Sequence, residues 1–230
     1  MSTELVAGVL LILLPIAFNL CFSLLAQRFD YPDILRRPTS DVLASFRAGG
    51  ASLLLLWWAF ALTAVLLAPL AVLLAAALVG ANSALVAVTA TTGVLAGVVQ
   101  FLGLIRWPFM VPYLARADAE PNVSPARREA IDVVFQSLHR YLGVAVGEHL
   151  GYLFTGGWSA LTGVALIQAS NTPGWLGVAG IVIGALLMVC ALEFVGSFEQ
   201  EGWKLAATVT PIAYIAWSIW LILIGVTLLL

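Results

Sequence analysis

Charge is what this chain has least of. Only 10% of its 230 residues are Asp, Glu, Lys or Arg, against about 25% in soluble domains. Apolar residues make up 62% and mean hydropathy is +1.06. A core of this size cannot hide that much apolar surface from water, so the bilayer must act as solvent. Cysteine is scarce too. Cys21 and Cys190 stand alone inside apolar runs, which excludes a disulfide scaffold and reads as two small buried hydrophobes. His139 and His149 are the two histidines. Ten residues apart on one helix, they are separated by about 80° and ~15 Å, so no metal or haem is held by both. No cofactor and no metal is expected.

Other absences narrow the function. No P-loop, His-rich zinc pattern, Ser-His-Asp set or Gly-rich turn after a strand occurs. No catalytic residue is therefore nominated, and an intramembrane enzyme ranks last among the readings. The formal net charge is -2 and no dense basic patch exists, so nucleic acid is not an expected partner.

What the chain does have is apolar length. Six runs reach the ~20 residues needed to cross about 30 Å of hydrocarbon: residues 4–26, 51–79, 83–105, 142–169, 175–196 and 207–229. The first lacks the basic start and small-residue cleavage site of a secretory signal, and is expected to be a retained span. Pro69 should kink the second. Gly80-Ala81-Asn82 and Ser170-Asn171-Thr172-Pro173-Gly174 are tight turns. The expected fold is all-α, a polytopic transmembrane bundle of six spans forming one domain over residues 1–230, with two short amphipathic cytoplasmic helices.

The basic residues set the expected orientation. Arg28, Arg36, Arg37 and Arg47 lie in the first connection, Arg106, Arg116, Arg127, Arg128 and Arg140 in the third, and Lys204 in the fifth. All ten fall on one side, which the positive-inside rule places in the cytoplasm with both termini outside. Two of these connections carry the amphipathic helices. In the first, Thr39, Ser40 or Asp41 would cap a helix whose Val42, Leu43 and Phe46 share a face, ending at Gly49-Gly50. In the third, Ser124-Pro125 is a cap and first-turn pair before Ile131, Val134, Phe135 and Leu138. Both helices would lie on the inner leaflet or close the bundle from below.

Against this background the stretch Ser137–Thr162 stands out, because it carries Glu148 and His149 inside an apolar run. At 100° per residue, Tyr141, Glu148, Tyr152, Thr155 and Ser159 fall within about 40°. An ionisable group on a spanning helix points to function. Gln100, Glu193, Asn19 with Ser23, and Thr210 with Tyr214 share its depth toward the basic side. Facing inward, they would form a polar cavity open to the cytosol, with Arg106, His139 and Arg140 at its mouth. The competing reading is that such side chains are interhelical glue worth about 0.6–2 kcal/mol each.

Gly143, Gly147 and Gly151, Gly180 and Gly184, and Gly93 and Gly97 are spaced for close helix approach. Packing within one chain is the first reading of these steps and a homodimer interface the second. Trp107, Trp158, Trp175 and Trp203 fit interfacial belt positions, with Trp57 and Trp58 deeper.

The residues FDYPDILRRPTSDVLASFRAGG, then LLLLWWAFAL, then GWLGVAGIVIGALLM resemble a bacterial, actinobacterial-type, six-helix integral membrane family known only as a domain of unknown function. The resemblance implies a bacterial inner (plasma) membrane location and helix number, and brings no activity or catalytic residue with it. The leading functional expectation is binding or passage of a small molecule or proton. Glu148 would be its centre, with His149 and Tyr152 as partners and Gln100 and Glu193 as wall. The alternative is a non-enzymatic interaction or regulatory protein docking a partner or anionic lipid through its basic connections. The lipid bilayer is the one partner common to both.

Overall fold

The computed structural model describes residues 2–230, and among them every regular element is helical. The helices are α1 (Thr3–Phe29), α2 (Thr39–Val65), α3 (Leu67–Ala77), α4 (Ser83–Phe109), α5 (Val111–Asp118), α6 (Pro125–Leu138), a wide segment His139–Leu150, α7 (Gly151–Gln168), α8 (Gly174–Cys190) and α9 (Lys204–Leu229). Five continuous helical stretches are long and apolar enough to cross a membrane, and the 17-residue α8 is a shorter apolar helix beside them. The chain is a helical bundle built for a membrane. Its rods form a ring in chain order, each packed on the next, and α9 closes back on α1.

The two ends of the ring differ. At one end the short turns interlock: Asn171 donates to the Ala77 carbonyl, Ser170 N–H to Val79, and Asn82 N–H to Gln168. Both chain ends sit there as well, since α1 meets α9 at Gly8 against Leu229 and Gly225. At the other end lie all three charge-bearing connections. Arg140 of the third reaches Glu199 of the fifth, and Thr39 of the first reaches Asp132 of the third.

Local chemistry explains most of the boundaries. Asn82 caps α4 by accepting from Ala84 and Leu85 N–H, and Ser124 caps α6 by accepting from Arg127 N–H with Pro125 in the first turn. The second hydrophobic run breaks at Leu66, because Pro69 cannot donate to the carbonyl one turn back. Within α2, Gly50 has φ 58 and ψ -153, a conformation open essentially to glycine alone. There a short helix over 39–49 turns into the long helix over 51–65.

Several expectations need correction. Thr39, Ser40 and Asp41 do not cap that short helix. It begins after Pro38 with no side-chain cap, because the Thr39 hydroxyl is engaged by Asp132 and Gln136 of α6. Its apolar face does not lie on a leaflet surface: Val42, Leu43 and Phe46 are buried with Phe29, Trp57, Trp107, Ile131 and Phe135. The helix α5, starting beside Pro112, falls where a plain connection was expected. The fifth run, expected over 175–196, stops being helical at Cys190, so Glu193 lies beyond the helix. The chain turns through Gly196, at φ 66. Trp107 and Trp158 are buried core residues rather than belt residues, because facing helices supply aromatic and small partners for them.

Candidate functional site

The segment carrying Glu148 is wound more widely than an α-helix. Over His139–Leu150 the backbone bonds run i→i+5, so each residue advances roughly 80° rather than 100°. The polar stripe drawn at 100° is corrected by this winding. Seven steps of the wider helix turn Tyr141 roughly 200° away from Glu148, leaving Tyr141 67% exposed while Glu148 is half-buried. Residues four apart stay on one side in either winding, so the glycine face survives. Gly143 meets Arg106, Gly147 meets Gly103 and Gly151 meets Gln100, all on α4. A Cβ on Gly147 would come within 3.0 Å of the Gly103 Cα, so the two backbones touch. These glycines are used inside the chain.

Arg106 is the charge this contact buries. It is 9% exposed, donates to the Gly103 carbonyl and lies 3.3 Å from His139 Nδ1. The guanidinium is also 5.4 Å from the Trp107 ring centre. No carboxylate reaches it within ion-pair distance among the described residues. His139 stacks on Phe135, and Arg140 is exposed and paired with Glu199. Arg106 is therefore not at a mouth. It lies beneath α6 and the 39–49 helix, which close this end of the ring over Trp57 and Trp107, stacked 4.4 Å apart.

Groups from five other parts of the chain lie around Glu148. The carboxylate makes no ion pair and no side-chain hydrogen bond among the described residues. Arg106, Tyr152, Glu193, Tyr214 and Tyr31 lie within its electrostatic reach. Tyr152 of α7 and Tyr214 of α9 meet edge to face with ring centres 5.4 Å apart. Tyr31, in the connection after α1, packs on Trp57 at 5.0 Å and Phe22 at 5.7 Å. Burial and then the Glu148 carboxylate push the Tyr31 phenol well above its ordinary range, while Arg106 pulls it down. Nothing in the local sequence nominated Tyr31, because it lies in a polar connection and returns to the bundle only through tertiary packing.

The remaining nominated residues have other partners. His149 donates Nδ1–H to the Ala191 carbonyl at 2.7 Å, tying the wide segment to the end of α8. Gln100 donates to Thr155 at 2.6 Å. Asn19 donates to the Pro15 carbonyl and to Ser218 at 2.9 Å, linking α1 to α9. Ser23 and Gln27, on its face, are exposed. Glu193 is half-buried in the turn beyond α8. Two open grooves occur at this end. One, of about 610 Å³, is lined by residues 196–204, and the other, of about 670 Å³, lies between residues 38–40 and α6. Neither contains Glu148. Among the described residues no three His, Cys, Asp or Glu side chains gather as a metal site would require.

A membrane helical bundle with one unpartnered interior carboxylate is the class these observations define. The chain belongs to the family Domain of unknown function (DUF4386), whose model matches residues 6–225. No curated protein and no solved structure matches it.

Proposed function

We propose that this protein is a six-span protein of a bacterial inner membrane, with its basic end in the cytoplasm and both termini outside. In this reading the interior of the basic end binds, or passes, a small molecule or a proton, with Glu148 as the ionisable centre. Orientation is supported by all ten Lys and Arg residues lying in connections at one end of the ring. The sixth span is supported by the place of α8 in that ring, between α7 and α9.

One observation carries the functional part. Glu148 is an acid among apolar helices with no partner in the fold. A carboxyl at such a depth costs a few kcal/mol unless protonated or paired, and only the attraction of Arg106, beyond ion-pair distance, offsets that cost here. Tyr152, Gln100 and Glu193 supply the wall. The glue reading fits Asn19 and Gln100, whose amides are bonded across helices, but it does not fit Glu148.

Docking through the basic connections ranks second on charge. Arg36, Arg37, Arg127 and Arg140 are each paired with an acid of the same end. Among the described residues Arg28, Arg47, Arg116, Arg128 and Lys204 are exposed without an ion pair, but ten acids share these connections with the ten cations, so no net positive charge faces an anionic surface. The test of the first reading is a thermal-shift comparison of wild type and Glu148→Gln against organic cations, organic anions, neutral solutes and pH. The expected result is a stabilising solute or a pH response seen in wild type and missing from the variant. Identical responses in both proteins would overturn it.

A further inference from the structure

The basic end of the ring is shut by two elements with unequal grip. The 39–49 helix is continuous with α2 and sinks Val42, Leu43 and Phe46 almost completely. The helix α6 buries only Ile131 and Phe135, and leaves Val133 58% and Val134 42% exposed. Among the described residues it makes extended contact with α2, α5 and the wide segment alone. What fastens it is polar. The Thr39 hydroxyl donates to Asp132 and accepts from Gln136 at 3.0 Å. Arg140, just beyond α6, pairs with Glu199 while both stay exposed. The groove of about 670 Å³ is lined in part by Thr39, Asp132 and Gln136, so water reaches this clasp.

Closure also strands polar groups. Phe135 lies edge-on to Trp107 at 6.5 Å and stacks on His139, which meets Arg106 at 3.3 Å. Beneath that cover Arg106 is 9% exposed, with no ion pair among the described residues, and the Trp107 N–H has no acceptor. A buried donor without a partner and a buried charge without a counter-ion both raise the energy of the closed form. Lifting α6 lets water solvate them, while it exposes Ile131 and Phe135. The two contributions oppose each other, and a helix with few buried apolar contacts opens before its neighbours. Residues 119–124, nearly all exposed and passing through Asn122 at φ 61, leave the start of α6 free to move.

Resting on the reading that the interior of the basic end handles a small molecule or a proton, we propose that α6 is a lid over that interior. It is closed here by the Thr39 clasp. It opens from its Asn122 end, hydrating Arg106 and joining the interior to the basic side.

The test uses the full chain in nanodiscs, with Cys21 and Cys190 replaced by Ala, and a membrane-impermeant maleimide as probe. Ile131→Cys puts a thiol on the buried face of α6, and Leu43→Cys puts one on the 39–49 helix to report general unfolding. Position 131 should react about tenfold or more faster than position 43. Adding Thr39→Val should speed the reaction at 131 by about tenfold, whereas Thr39→Ser keeps the hydroxyl and should leave it unchanged. Adding Arg106→Met should slow it by about tenfold, because the closed form then strands no charge; an arginine that merely supports the fold gives the opposite sign. Equal rates at 131 and 43, or a rate not slowed by Arg106→Met, overturns the proposal. If Arg106→Met does not fold, equal rates for Thr39→Val and Thr39→Ser overturn it instead. Labelling needs no ligand, so these outcomes leave the Glu148 reading standing. Gated labelling beside identical thermal responses of wild type and Glu148→Gln overturns that reading and keeps the lid.

Discussion

The two ends of the ring are built by different rules. At the end with the termini and short turns, helices close on small residues. Gly156 meets Gly184, Gly163 meets Gly177 and Gly8 meets Gly225, with backbone atoms in contact. Of the indoles beside them, Trp217 donates to Ser159 and Trp220 to the Leu176 carbonyl, while the Trp158 N–H and the Thr162 hydroxyl have no partner. At the basic end rings, including Phe29, Phe46, Trp57, Trp107 and Phe135, fill the space between helices, with α4 and the wide segment meeting backbone to backbone at Gly103 and Gly147, and the buried Trp57 and Trp107 N–H groups have no partner. That end also holds the buried Arg106 and the unpaired Glu148. The contrast separates a half closed mainly on small residues from a half filled mainly by rings.

Perturbing the half closed on small residues should have the largest effect. A Cβ at Gly163 would lie 2.4 Å from the Gly177 carbonyl oxygen, and backbone there cannot move aside as a flexible side chain can. Gly163→Val should cost more than about 3 kcal/mol and abolish the monodisperse peak on size exclusion; a normal profile would remove the contrast. Trp107→Ala, at the aromatic end, should cost about 3–5 kcal/mol in a denaturation measurement. A value near zero would mean that the ring pile does not support α6. Thr39→Val leaves Asp132 and Gln136 without their shared hydroxyl. It should cost about 1–3 kcal/mol and speed hydrogen exchange in residues 39–49 while α7 and α8 stay protected. Smallest is Arg127→Gln, which opens an exposed ion pair with Glu120 and should change stability by at most about 1 kcal/mol.

Sequence pattern alone carried much of this. Hydrophobic length located the helical rods, the segregation of arginine sorted the connections to one end, and Ser124-Pro125 marked the start of α6 correctly. The failures have physical causes. A wheel at 100° cannot detect the wide winding of residues 139–150, because glycines four apart share a face in both geometries. Thr39 has the chemistry of a cap, but α6 offers it the Asp132 carboxylate instead. Tyr31 could not be nominated, since only the fold returns its ring to Trp57 and Glu148. Glu148 itself was conspicuous from the start, as an acid in an apolar run.

The account rests on Glu148 being kept for binding and not for folding. The most direct measurement is the melting temperature of ligand-free Glu148→Gln beside wild type, in the same lipid and at neutral pH. With no bond to lose and a buried charge removed, the variant should melt at the same temperature or higher. A melting point lowered by several degrees would show that the carboxylate supports the fold and would contradict the account.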